Sequence, residues 1–367
     1  MTTRSRLQRA RDLARAEWHH LTTVNPSTRR WQMPFAAALA SGLPLMVGAW
    51  FDHLEYGLIS SIGGLAFLYL PNTPMSHRMV WLMACAFGMS ASYALGLITH
   101  FLPLATVGVL GLIAMLVTMV CRFYRVGPPG SLFFVMAAAI GAYTPGTVEE
   151  IPLRVGLLTM GALLAGLIAF CYSLHILRLQ APEPAAPPPP PTFDFVVFDA
   201  VMIGAFVGLS LAIAQALQLD RPYWVPVSCL AVIQGVSLRA VWNRQLQRVL
   251  GTAIGMLLAW SLLSLPLDPW RIALLVIVLA FTIETLVVRH YGLAVIFITP
   301  LTLLLAEAAT LGHAPLAELI QSRFIDTVLG CVVGLVGGIC LHSARFRTLV
   351  GGLLRRMTPS RLLPRDF

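Results

Sequence analysis

The chain has 367 residues, of which 57% are hydrophobic and only 11% charged, with a formal net charge of +9. A soluble domain carries about 25% charged residues, so a large water-soluble domain is excluded, and the apolar stretches are continuous where barrel strands alternate, which excludes a β-barrel. All 25 basic residues are arginine, which removes the P-loop lysine and lysine Schiff-base chemistry; any pumping must draw on an ion gradient or a separate subunit.

In chain order, residues 1–32 form a basic N-terminal segment. Leu7 to Leu21, with Trp18 among arginines, reads as an amphipathic helix lying on the membrane surface. It has no apolar h-region, so no cleavable signal peptide is expected. Apolar runs follow at about 33–51, 57–70, 79–99, 102–121, 129–144 and 155–177, making a first six-helix unit over 33–177. A proline-rich linker over 178–195 comes next, with Pro187 to Pro191 at its centre; such a tract forms an extended polyproline spacer, not a helix. Six more runs lie at about 196–217, 223–238, 248–265, 270–288, 291–308 and 325–343, a second unit over 196–343, before a basic tail over 344–367. The expected fold is an all-α polytopic membrane protein of about twelve transmembrane helices.

Charge orients this map. With the N-terminus in the cytoplasm, 21 arginines fall inside and only Arg154, Arg221, Arg271 and Arg323 outside, where Asp52, Glu55, Glu149, Glu150, Asp220 and Asp268 also lie. The positive-inside rule then gives N-in, C-in topology. The basic balance faces anionic lipid, and no nucleic-acid partner is expected. The six cysteines show no CxxC pairing and His19-His20 stand alone, so neither a metal nor a cofactor is expected. No catalytic constellation is present, and the chain is not expected to be an enzyme.

The halves read as parallel repeats related by an axis along the membrane normal. Tyr56 precedes the second run and Tyr223 the eighth; Arg154 and Arg323 each stand seven residues before a glycine, Gly161 and Gly330. Short or interrupted helices at matching positions point to a substrate path. The second run holds Gly63-Gly64, the eighth holds Pro226, the eleventh holds Thr299-Pro300, and Gly127-Pro-Pro-Gly130 precedes the fifth. Charges in apolar runs cost at least ~2.5 kcal/mol each at mid-bilayer. Glu284 is the deepest, either a proton carrier or the partner of an arginine near the cytoplasmic face. Asp326 is a second proton-carrier candidate, although it, Asp199 and Glu307 read as close enough to an interface to be solvated. Gly330-x3-Gly334, Gly251-x3-Gly255 and Gly204-x3-Gly208 are small-residue packing seams.

The segment from Tyr223-Trp224 through Gln234, then Arg239, Arg244, and Arg248-x-x-Gly251-Thr252-x-x-Gly255, resembles the signature of the fusaric acid resistance superfamily. Tyr291 to Thr302 and Arg323-x-x-Asp326-Thr327-x-x-Gly330 resemble its later helices. The resemblance covers residues 196–343 and is faint over 33–177. It implies a multi-pass protein of the bacterial inner membrane related to aromatic carboxylic acid efflux proteins and, more distantly, to plant malate channels. The implied function is secondary export of small aromatic or related organic acids on the proton gradient, with a passive anion channel or a flux-free membrane scaffold as alternatives. Membrane lipids, a small organic anion, further copies of the chain and a periplasmic adaptor are the implied partners. On this reading Arg239, Arg244 and Arg248 form a loop capturing anions at the inner mouth. Tyr223 and Trp224 either stack an aromatic ring or belong to the interfacial belt. Gln234, Pro226, Thr299 and Pro300 line the path, and Gly251, Thr252 and Gly255 pack the ninth helix beside the broken eighth.

Overall fold

The computed structural model describes residues 23–27, 29–184, 194–307 and 316–357. The amphipathic N-terminal helix, the Pro187–Pro191 tract and the side chain of Glu307 lie outside the described residues. The first half comprises α1 (Gln32–Trp50), α2 (Leu54–Gly64, continued by a 3₁₀ turn over Leu65–Tyr69), α3 (Met75–Thr99), α4 (Pro103–Phe123), α5 (Leu132–Tyr143) and α6 (Ile151–Ile176). The second comprises α7 (Asp199–Ala216), α8 (Trp224–Ile233), α9 (Leu238–Leu263), α10 (Pro269–Leu286), α11 (Tyr291–Glu307) and α12 (Leu316–His342), followed by α13 (Ala344–Met357). Among the described residues there is no strand.

Each of the twelve apolar runs is a helix, but their lengths fall into two classes. Eight are long and apolar enough to cross a membrane. The other four, α2, α5, α8 and α11, are the second and fifth of each half. With 10 residues, α8 is roughly 15 Å long, half of a hydrocarbon core of about 30 Å.

Hydropathy misplaces several helix starts, because a polar first turn scores like a loop. The ninth helix begins at Leu238, ten residues before the apolar run, with the Ser237 hydroxyl accepting from the Ala240 N–H at 3.2 Å. Arg239, Arg244 and Arg248 are therefore on a helix and not in a loop. Arg323 and Asp326 likewise lie inside α12, 3% and 1% exposed, so Arg323 leaves the external loops and Asp326 is not solvated at an interface.

The repeat is visible in packing. In the first half α3 lies along α5, α2 along α6 and α1 against α2; α9–α11, α8–α12 and α7–α8 repeat these pairs. Small residues occupy equivalent contacts. A Cβ on Gly141 of α5 would meet the α3 backbone 2.8 Å away at the Tyr93 carbonyl oxygen, and one on Gly255 of α9 would meet the Ile296 carbonyl oxygen of α11 at 2.6 Å. Both α1 and α7 end on a left-handed residue, Asp52 (φ 59°) and Gln218 (φ 52°). Beyond each, an amide reaches back five residues, His53 to Gly48 at 2.8 Å and Leu219 to Ala214 at 3.1 Å, the bonding of a Schellman end.

The halves join through two equivalent contacts, α1 with α10 and α4 with α7. One buries Leu45, Ile272, Val276 and Leu279; the other buries Leu110, Ile113, Ile203 and Val207. Gly204 and Gly208 of α7 face Gly111 of α4, so this seam is spent within the chain. Gly251 and Gly255 pack against α11, not α8; α8 is instead received by Gly330 and Gly334 of α12. Thr252 is buried beside them. The basic tail contains α13, whose Phe346, Val350 and Leu354 dock on Phe198, Met202 and Leu341.

Candidate functional site

A cavity of about 1500 Å³ lies between the halves, and all four short helices line it. The chain breaks that flank those helices leave backbone groups at depth, which need partners inside the protein. The partners are present. Tyr69 Oη donates to the Gly130 carbonyl at 2.8 Å and His342 Nε2 lies 3.0 Å from the Gly235 carbonyl; between side chains, Gln234 Nε2 donates to Ser131 Oγ at 2.7 Å. Gln234, at the end of α8, thus ties that helix to the Gly127–Gly130 turn that opens α5.

Eight arginines and four carboxylates line the cavity. Of these, Arg29, Arg122, Arg125, Arg244 and Arg347 lie where α1 and α9 begin and α4 and α12 end, and Glu55, Glu150 and Arg154 lie where α2 and α6 begin. At the basic end Asp199 is 6% exposed and accepts from Arg122 Nη1 at 2.6 Å and from Arg347 Nη2 at 3.4 Å. It is a buried bridge between α4, α7 and α13, not a solvated interfacial acid. Burial in low dielectric makes such charged hydrogen bonds strong when satisfied and costly when broken. Glu284 also faces the cavity, with Oε2 3.0 Å from Arg29 Nη1. Of the two readings of Glu284, the geometry holds an arginine partner.

Further in, two arginines meet at α8. Arg248 is 6% exposed and donates to Tyr291 Oη at 3.0 Å and Ser228 Oγ at 3.2 Å. The Arg323 guanidinium lies 3.8 Å over the Trp224 ring and reaches Thr302 Oγ1 at 3.4 Å. Trp224 is 3% exposed, which takes it out of a lipid-facing belt, and Tyr223 packs on it and on Tyr143 with ring centroids 5.1 and 6.0 Å apart.

Of the path residues expected from sequence, Arg244, Arg248, Tyr223, Trp224 and Gln234 line the cavity. Arg239 is exposed on the first turn of α9. Thr299 is buried against Gly255, and neither it nor Pro300 reaches the cavity wall, which α11 supplies from Ile298, Leu301 and Thr302. Pro226 is also off the wall; it lies in the first turn of α8, where its missing N–H would have no intrahelical partner in any case. Asp326 sits behind Arg323, one turn on along α12. Arg323 was legible as a repeat marker and as part of the Arg323-x-x-Asp326 motif, but neither pattern carries a sign of what the side chain faces.

Residues 200–337 match the family described as fusaric acid resistance protein-like. The matched stretch runs from the start of α7 to near the end of α12 and holds both buried arginines of the site. The uncharacterized membrane protein YvaC of Bacillus subtilis (strain 168) is 22% identical over 465 aligned residues, covering 87% of this chain and 73% of its own. Because that aligned length exceeds the whole chain, YvaC carries inserted residues that this chain lacks. No solved structure matches the chain significantly.

Proposed function

We propose that the chain is a secondary transporter of the bacterial inner membrane that exports small organic acids, aromatic ones included, through the cavity between its repeats. The observation that carries this reading is the cavity itself, large enough for a small solute and lined by eight arginines against four carboxylates. Excess positive charge in a low-dielectric cleft raises the local concentration of anions. The family match and the apolar helices support a membrane setting, and the positive-inside bias of the arginines favours both termini and the basic end of the cavity on the cytoplasmic side. A cysteine at Glu149 is then expected to label from outside the cell and one at Arg125 is not; the reverse pattern would invert the topology.

Proton coupling is assigned to Asp326 in preference to Glu284. Glu284 is held by Arg29, whereas Asp326 Oδ2 is buried without a hydrogen-bond partner among the described residues. The charged groups that act on Asp326 are Arg323 on its own helix and Arg221 and Asp220 in the segment before α8. Protonation of Asp326 would release Arg323 to an incoming anion, and deprotonation would compete the anion away. A passive anion channel is the second reading, favoured by the fixed Arg29–Glu284 pair. Proteoliposomes with an imposed pH gradient decide between them: accumulation of benzoate or a related acid is expected, dissipative current alone would select the channel, and no anion movement would remove both.

A further inference from the structure

We propose that Arg248 and Arg323 form one carboxylate-binding subsite on the face of α8 that carries Trp224 and Ser228. The proposal rests on the transport reading above and locates within the cavity where the anion is held.

Four observations converge on this place. Trp224 and Ser228 are four residues apart on α8, so they are neighbours on one helix face. Arg323 stacks on the first and Arg248 bonds to the second, which brings two guanidinium groups from different helices to one helical turn, near enough to repel each other. Both side chains are more than nine-tenths buried and both line the cavity.

Their donors are not used up. Among the described residues no acceptor lies within hydrogen-bond reach of Arg248 Nε, Arg323 Nε or Arg323 Nη1. Buried donors in this state are uncommon, because each carries its full desolvation cost. Among the described residues neither arginine has a carboxylate within ion-pair distance; Asp326 attracts Arg323 from one turn along α12 without closing an ion pair. A ligand carboxylate meets all of these needs together, since its two oxygens accept from guanidinium forks and its charge offsets the repulsion. The Trp224 face, with Tyr223 beside it, offers a flat apolar surface next to the charged group.

The first repeat provides an internal comparison. Arg154 occupies the place of Arg323, seven residues before the equivalent glycine, and each arginine reaches the fifth helix of its half, at the C-cap Thr144 of α5 in one and at Thr302 within α11 in the other. Arg154, however, is neutralised by Glu150 at 2.6 Å and donates to the Pro145 carbonyl at 2.6 Å. The residue four before Arg323 is Leu319, which supplies no charge. The same repeated arginine is thus satisfied by the protein in one half and left with unused donors in the other. An arginine kept only for packing would need its donors satisfied in both.

The test is equilibrium binding of benzoate to the full chain in detergent by titration calorimetry, with benzamide as the uncharged isostere. Benzoate flux into proteoliposomes is measured on the same preparations. Wild type and the exposed-surface control Arg271→Gln are expected to bind benzoate and not benzamide. Arg248→Gln and Arg323→Gln are each expected to weaken benzoate binding at least tenfold. Arg248→Lys and Arg323→Lys, which keep the charge and lose the planar fork, are expected to weaken it by a smaller factor; they decide the matter if the glutamine variants do not fold. Folded variants that bind benzoate as wild type does, while wild type moves benzoate across the membrane, would overturn the subsite and leave the transport reading standing. A wild type that moves no carboxylate of any kind would remove the transport reading and the subsite with it.

Discussion

Asp326→Asn is expected to abolish accumulation of a carboxylate against its gradient while exchange of internal for external anion persists. Asparagine keeps the shape of the side chain and fixes it in the neutral form, so the carboxylate can no longer compete with a bound anion for Arg323. The site would stay occupied as readily as before, and the link to the proton would be lost. Glu284→Gln provides the contrast. Its carboxylate is paired with Arg29 at 3.0 Å, with side chains 13% and 31% exposed. Part of the Coulomb term is screened by solvent there, so the loss is expected to cost about 1 kcal/mol of stability and to leave transport proton-dependent. Counterflow and gradient-driven uptake, measured side by side in vesicles, separate the two variants. Retained proton coupling in Asp326→Asn together with its loss in Glu284→Gln would return the proton-carrying part to Glu284.

The largest expected effect on stability is that of Asp199→Asn. Asp199 is the acid between Arg122 of α4 and Arg347 of α13, and its removal leaves two arginines facing each other with no counter-charge. Breaking a buried pair by removing one partner costs about 3–5 kcal/mol. The Arg347 side chain is 33% exposed, which puts the expected loss near the lower end, on the order of 3 kcal/mol. Arg347→Gln should cost less, about 1 kcal/mol, because the shorter Arg122 bond survives. Thermal unfolding in detergent reads both, and hydrogen exchange over 344–357 should rise sharply in Asp199→Asn as α13 loosens at the mouth of the cavity. Unchanged protection there would mean that the packing of Phe346, Val350 and Leu354 alone holds the helix.

The two variants act at different levels of the same architecture. Asp199 belongs to the wall at the basic end and helps fix the shape of the cavity. Asp326 belongs to the second repeat and acts on one of the two arginines that reach α8.

Much of this was legible in the chain itself. Every apolar run is helical in the structure, and eight of these helices are long and apolar enough to cross a membrane, because in a bilayer backbone groups must be satisfied within the segment and a run of about 20 apolar residues leaves few other solutions. The short second and eighth helices, the Gly and Pro interruptions at the fifth and eleventh, the repeat marked by Arg154 and Arg323, and the family-like motif around Tyr223 to Gly255 were also present in residue order. The partners of the charges were not. Arg29 and Glu284 are 255 residues apart, Arg122 and Asp199 are 77 apart, and Arg323 meets Trp224 only because α12 packs along α8. Hydropathy scores a buried arginine like an exposed one, so Arg239, Arg244 and Arg248 read as a loop although they share a helix, and Asp199 and Asp326 read as solvated although they are enclosed. A charge in an apolar run announces its cost from the sequence alone. Which group meets that cost is decided by packing between helices far apart in the chain, and so by the tertiary structure.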